Sequence, residues 1–344
     1  MARPWPATPR ASQPRRAASY AALDLGTNNC RLLVAEPAQF GFRVVDAFSR
    51  IVRLGEGLGH GNRLSEGAIE RTLEALRVCR DKMAARDVRR ARLVATEACR
   101  LAENGPAFIQ RVRSELRLEL EVVDRKTEAY LAVTGCAALV DPKAQSVIIF
   151  DIGGGSTEIA WLDGTPAGPH ADPTQRIRAW DSLPVGVVTL AERHGGMDVT
   201  RKSFEGMVEE VSDLLLDFSI VAADSARAAG FHLLGTSGTV TTVGGIHLGL
   251  QRYDRRRVDG LWMQAREISR VIDGLVGTTF DHRASNGCIG RERADLVLAG
   301  CAILEAIRRS FPSDRLRIAD RGLREGILMN MMREDRVWHR GAQR

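Results

Sequence analysis

The chain has 344 residues, 44% of them hydrophobic, enough for two domains with ordinary cores at the usual ~100–200 residues per domain. Its net charge of +6 rests largely on Arg3, Arg10, Arg15 and Arg16 in an acid-free N-terminal stretch, and only 5% of residues are aromatic. That pattern lacks the basic stripe with interleaved aromatics that marks a nucleic-acid surface, so DNA is not an expected partner. No apolar run approaches the ~18 residues of a membrane span, so no membrane partner is expected either.

Residues 1–18 have no hydrophobic segment of the kind a secretory signal needs, and Pro4, Pro6, Pro9 and Pro14 oppose an amphipathic helix. They are expected to form a disordered basic tail. Cys30, Cys79, Cys99, Cys136, Cys288 and Cys301 are scattered, with no CxxC pair and no zinc-like spacing. They read as small buried thiols of a reducing, cytoplasmic protein.

The first ordered unit opens with ALDLGTNNCRLLVA from Ala22, in which an apolar run delivers Asp24, a Gly/Thr/Asn turn reverses the chain, and a second apolar run follows. The pattern is strand, phosphate-sized loop, strand. It is not the strand-to-helix junction that a dinucleotide fingerprint or a Walker loop requires. FRVVDAFSRIVRL from Phe42 predicts a third strand, and Ser65 predicts a helix cap before Ile69, Leu73, Leu76 and Met83. Strand ARLVAT from Ala91, helix AFIQRVRSEL from Ala107, strand LEVVD near Leu120 and helix TEAYLAVTGCAALV from Thr127 complete the order βββαβαβα.

The pattern then repeats. SVIIFD from Ser146 delivers Asp151, the turn GGGST follows, and TEIAWL returns. The Gly/Pro-rich stretch from Asp163 predicts an exposed loop before a third strand over residues 177–183. Helix SFEGMVEEVSDLLLDF, strand FHLLG, a helical stretch after Gly238, helix RADLVLAGCAILEAIRR, strand RLRIA and helix GLREGILMNMM follow. One fold unit used twice predicts mixed sheets flanked by helices, with a cleft between the halves. Both hairpins should line that cleft, and a third Gly/Thr turn, GTSGT from Gly235, should reach it.

Glycine lets such turns aim several backbone N–H groups at one oxygen cluster, while hydroxyls and amides add donors. Gly26, Thr27, Asn28 and Asn29 are candidates in the first turn, with Arg31 just beyond. Gly153, Gly154, Gly155, Ser156 and Thr157 are candidates in the second, and Gly235, Thr236, Ser237 and Gly238 in the third. Asp24, Asp151 and Glu158 are candidate ligands for Mg²⁺ through oxygen and water, the arrangement magnesium takes when its other partners are phosphates. Glu128, at the start of a helix leading toward the second half, is placed to accept a proton from water. The plainer reading of Glu128 is an acid favoured in the first helical turn by the macrodipole. RERAD (291–295) reads as a helix-face ion-pair network or as a phosphate contact at the cleft edge, and the tryptophans read as packing residues.

Seven segments resemble, in order, the Ppx/GppA family of exopolyphosphatases and guanosine pentaphosphate phosphohydrolases. They are DLGTNNCRLLV (24–34), ATEACRLAEN (95–104), EVVDRKTEAYLAVTG (121–135), DIGGGSTEIA (151–160), GTSGT (235–239), RERADLVLAGCAIL (291–304) and GLREGIL (322–328). The resemblance implies an α/β protein of two actin/hexokinase/Hsp70-like (ribonuclease H-like) domains. The first spans 19–140 and is joined by the C-terminal helix 321–335; the second spans 141–320. It further implies Glu128 as the catalytic base, Asp151 and Glu158 at metal and water, residues 24–29 and 153–157 on phosphates, and Arg100 on the substrate chain. The family's Ser-Gly is Asp124-Arg125 here and its first Glu is Thr127. These departures rim the cleft and bear on substrate preference.

The chain resembles the short, two-domain form of the family, for which a homodimer is the candidate assembly. The expected activity is hydrolysis of the terminal phosphoanhydride of polyphosphate with Mg²⁺ as cofactor, alone or beside a monovalent cation. Removal of the 5′ terminal phosphate of pppGpp by the same site is the first alternative. A kinase on the same fold and a non-enzymatic nucleotide sensor are the others.

Overall fold

The computed structural model describes residues 18–39, 41–164 and 172–338. Its frame is two mixed sheets. The first contains β1 (Ser19–Leu25), β2 (Asn29–Pro37), β3 (Phe42–Ile51), β4 (Val88–Ala95) and β5 (Leu120–Val122), in the order β3-β2-β1-β4-β5. The second contains β6 (Ser146–Ile152), β7 (Thr157–Asp163), β8 (Ile177–Leu183), β9 (His232–Thr236), β10 (Trp262–Gln264) and β11 (Arg315–Ala319), in the order β10-β11-β9-β6-β7-β8. Leaving aside β10 on the edge, β6, β7, β8, β9 and β11 occupy the places of β1 to β5. Both units begin with antiparallel neighbours and continue with parallel ones. The α/β fold of two like units predicted from the paired Asp hairpins is therefore present.

β1 and β6 sit mid-sheet and are covered on both faces, which is why each reads as an almost unbroken apolar run. On one face of the first sheet, Leu23 and Leu32 pack against Leu73, Leu76, Phe108 and Val112 of helices Glu66–Ala85 and Gly105–Leu116. Ser65 caps the first of these as expected, accepting from the Ala68 N–H at 3.3 Å. The other face, with Ala22 and Leu33, is closed by Leu131 of helix Arg125–Cys136 and by Ile327 and Met331 of helix Leu323–Glu334.

Helix Arg125–Cys136 also serves the second sheet, since Val133 and Cys136 pack with Val147, Ile149 and Leu162. It lies between the two units, and its first turn is held by Asp124, which accepts from the Thr127 N–H at 2.7 Å. Close approach to the C-terminal helix depends on two glycines. A Cβ at Gly135 would collide with the Gly322 carbonyl, and one at Gly326 with the Leu131 carbonyl.

The structure adds elements that the sequence pattern did not announce. Helix Val187–His194 follows β8, and between residues 255 and 285 lie β10 and helix Ala265–Val276, whose Ile268, Ile272 and Leu275 are buried. The helix expected from Arg293 begins only at Val297 after a short turn over Arg291–Arg293. All of the expected N-terminal tail but Ala18, and most of the Gly/Pro-rich loop after Asp163, lie outside the described residues. Among the described residues no helix is long and apolar enough to cross a membrane.

Candidate active site

The two hairpins are built alike. In the first, Asp24 is the penultimate residue of β1, opposite Arg31, and the Gly26 N–H closes the turn on the Asn29 carbonyl at 2.9 Å. In the second, Asp151 is the penultimate residue of β6, opposite Glu158, and the Gly153 N–H closes on the Ser156 carbonyl at 2.9 Å. The tips touch: a Cβ at Gly154 would lie 2.9 Å from Thr27 Cβ and 3.1 Å from the Asn28 nitrogen.

The third turn is a strand-to-helix junction. Ser237, which opens helix Ser237–His247, has a left-handed φ of 82°, strained for a residue with a Cβ. Its hydroxyl donates to the Ile152 carbonyl beside the second hairpin. Ser237, Gly238 and Thr239, whose backbone N–H groups are orphaned at this helix start, line the cleft, and such a start suits an anion.

These pieces enclose a cavity of about 510 Å³. Asp24, Gly26, Thr27, Asn28, Asn29 and Arg31 line it from the first hairpin; Asp151, Gly153, Gly154, Gly155, Ser156 and Glu158 from the second; Thr236, Ser237 and Gly238 from the third; and Glu128 from its helix. Three predicted residues do not line it. Thr157 turns away, its hydroxyl donating to the Val185 carbonyl at 2.7 Å. Gly235 lies within β9 against the Phe150 ring. Arg100 stands behind the wall, its Nη2 donating to Glu128 at 3.1 Å and its Nε to Glu97 at 2.9 Å.

The electrostatics are dominated by buried acids. Burial pushes Asp151 up to about 7, helped by the charges of Glu158 and Asp24. Burial also raises Asp24, against the pull of Arg31 and Arg324. Glu158 is raised by burial although the Ser156 and Ser182 hydroxyls donate to its Oε1 at 2.7 and 2.9 Å. Glu128 is raised well above the carboxylate range by burial and by Glu158, with Arg100 opposing. Asp24, Glu128, Asp151 and Glu158 thus share one cavity that disfavours their simultaneous ionisation. Asp24, Asp151 and Glu158, the expected holders of Mg²⁺ through oxygen and water, all line the cavity; among the described residues no three His, Cys, Asp or Glu groups converge closely enough to hold an ion without such water.

Several residues went unnoticed in the sequence. Glu97, 2% exposed, accepts from both Arg100 and Arg125, the latter at 2.7 Å. It precedes Arg100 by three residues on one helix, so the spacing could have flagged it. Arg324 lines the cavity, and buried Glu325 accepts from the Gly322 N–H at 2.9 Å and from Arg255 at 2.9 Å. RERAD divides between its two readings: Asp295 takes Arg53 in an ion pair, whereas Arg293 lines the cavity. The described tryptophans pack elsewhere; Trp180 stacks edge-on against Tyr130, and Trp161 donates to Ser146 at 2.9 Å.

The Ppx/GppA phosphatase family model matches residues 33–335. The chain belongs to the Ppx/GppA phosphatase family. A family member from Aquifex aeolicus is 27% identical with a TM-score of 0.73, the match covering 92% of this chain and 98% of that one. An exopolyphosphatase-like protein is 28% identical with a TM-score of 0.81, over 92% and 98% of the two chains. An exopolyphosphatase from Cytophaga hutchinsonii, 22% identical over 92% of this chain and 98% of that one, shares the fold at a TM-score of 0.82. Membership accounts for a cleft whose polar lining comes from two Asp-led hairpins and a helix start, and it makes this chain a phosphatase.

Proposed function

We propose that this phosphatase hydrolyses the terminal phosphoanhydride of inorganic polyphosphate and releases orthophosphate. The observation that carries the reading is Glu128, a half-buried carboxylate lining the cavity between two phosphate-sized hairpins, with the Arg100 guanidinium donating to it at 3.1 Å. The terminal phosphoryl group seats against the N–H groups of the hairpin turns and of the helix opening at Ser237. These fixed dipoles meet the charge that spreads over the phosphoryl oxygens in a loose transition state. Glu128 orients a water in line with the scissile P–O bond and takes its proton as the oxygen bonds to phosphorus. The shortened chain leaves with the electron pair of the broken bond. Arg100, donating to Glu128, opposes the rise that burial and Glu158 impose on it and so favours the ionised form that a base needs.

Seven acids, Asp24, Glu97, Glu128, Asp151, Glu158, Asp320 and Glu325, line the cavity and leave a polyanion in need of added positive charge, which fits Mg²⁺ held by Asp24, Asp151 and Glu158 with intervening water. Mg²⁺ there would supply positive charge to the phosphate oxygens. Arg31, Arg293 and Arg324 line the same cavity and add fixed charge of that sign.

The test is Glu128→Ala. Turnover should fall by the ~10²–10⁴-fold of a lost general base while the circular dichroism spectrum and thermal midpoint stay near wild type. Phosphate release should be followed in parallel from polyphosphate of defined length and from pppGpp. Undiminished release by the folded variant would remove Glu128 from the mechanism, and wild-type turnover confined to pppGpp would overturn the polyphosphate assignment.

A further inference from the structure

Residues 52–57 follow β3 and tie the two hairpins together. Val52 and Arg53 both donate their backbone N–H to the Asn28 carbonyl, at 2.9 and 3.0 Å, and the Gly55 N–H donates to the Thr27 carbonyl at 2.9 Å. The segment is thereby fastened to the tip of the first hairpin. Arg53 holds a left-handed φ of 49°, a conformation costly for a residue with a Cβ.

Its guanidinium leaves the first unit altogether. Nη1 lies 3.0 Å from Asp295 Oδ2, and Nη2 donates to Asp295 Oδ1 at 3.2 Å and to the Glu292 carbonyl at 3.0 Å. A two-pronged guanidinium–carboxylate contact sets an orientation as well as an attraction. Four residues on, the Gly57 N–H donates to Glu192 Oε1 at 2.9 Å.

Glu192 belongs to helix Val187–His194, and that helix is rooted in the second hairpin. The Val187 and Val188 N–H groups donate to the Gly153 and Gly154 carbonyls at 3.0 and 2.9 Å. The Asp295 carbonyl in turn packs against Gly196, just past the same helix. An unbroken series of bonds therefore runs from the Thr27–Asn28 tip through residues 52–57 to Glu192 and back to the Gly153–Gly154 tip. Arg53, Glu192 and Asp295 all lie outside the cavity lining.

We propose that Arg53, gripping Asp295 and seconded by Glu192 on Gly57, is a clasp that holds the two hairpins in register across the cleft. Arg53 is on this account a positioning residue for phosphate binding. The inference stands on geometry, and only the kinetic part of its test rests on the proposed hydrolase reading. Opening the clasp lets the hairpins separate, so the binding-competent fraction falls and the apparent affinity for phosphate chains falls with it.

The experiment compares wild type, Arg53→Asp, Asp295→Arg and the double exchange, by small-angle X-ray scattering without ligand and by phosphate release from polyphosphate. Aspartate is tolerated in the left-handed region, so the exchange does not add backbone strain at residue 53. Each single variant should show a larger radius of gyration and a KM raised about tenfold, with kcat within about threefold of wild type. The double exchange should restore both. Wild-type scattering and KM in a folded single variant, or a double exchange that recovers neither, would overturn the clasp. If a single variant does not fold, Glu192→Ala decides: a raised KM supports the clasp and an unchanged one overturns it. A wild-type protein that released no phosphate would remove the hydrolase reading, while the scattering series would still decide the clasp.

Discussion

Replacing Asp151 by asparagine should stabilise the metal-free protein, and by more at high pH. Burial, with Glu158 and Asp24 nearby, pushes this carboxyl from 3.8 to about 7. Between those values the folded state keeps a proton that the unfolded state has already released. Stability contributed by the neutral form is therefore fully present below the unfolded value and is lost as pH rises through the folded one. Asparagine does not ionise and escapes the loss. From pH ~5.5 to pH ~8 the wild type crosses the last ~1.5 units of that window at ~1.36 kcal/mol each, so the variant's advantage grows by about 2 kcal/mol. His232, pushed down to about 4 by burial, has the opposite pH dependence below its unfolded value, but it is common to both proteins and cancels. Loss of the Asp151 charge also eases ionisation of its neighbours, which acts in the same direction. In a chain of this size 2 kcal/mol is roughly 3 °C in melting midpoint. The assay is calorimetry of both proteins with EDTA and without phosphate at the two pH values, with phosphate release measured alongside. An advantage that stays constant or shrinks with pH would refute the electrostatic account; activity in the variant should be lost.

Glu97→Gln leaves Arg100 and Arg125 without their shared anion and should cost about 1–2 kcal/mol in urea unfolding, discounted because Arg125 is partly exposed. Adding Arg125→Gln should recover part of that loss, and a Glu97→Gln protein as stable as wild type would contradict the pairing. Gly135→Ala forces a methyl into the Gly322 carbonyl and should destabilise by about 1–3 kcal/mol while lowering activity, because the same helix carries Glu128. Gly274→Ala, in helix Ala265–Val276 with nothing within 4 Å of the added carbon, should instead stabilise by about 0.5–1 kcal/mol. Equal effects from the two glycines would show that close packing is not what distinguishes them.

Local order was legible because it is written in neighbouring residues. The apolar runs ending in Asp24 and Asp151, each followed by a turn that lets the backbone reverse, determine two like hairpins, and Ser65 determines where a helix begins. Most of the cavity lining follows from those turns. Even the displacement of Thr157 was within reach, since it neighbours Glu158 in β7 and adjacent strand residues face opposite ways. Only the folded chain decides which charges meet. Arg100 is aimed at Glu128 because Glu97, Val123 and Arg125 meet there from separate elements. Arg293 reaches the cavity while Asp295 turns to Arg53, a division set by where residues 52–57 pass. The raised carboxyls at Asp24, Glu128, Asp151 and Glu158 depend on burial by both units at once. Sequence spacing carries turn and strand preference over a few residues; desolvation and charge pairing depend on distances between segments far apart in the chain, which exist only once the two sheets and the helices between them have packed.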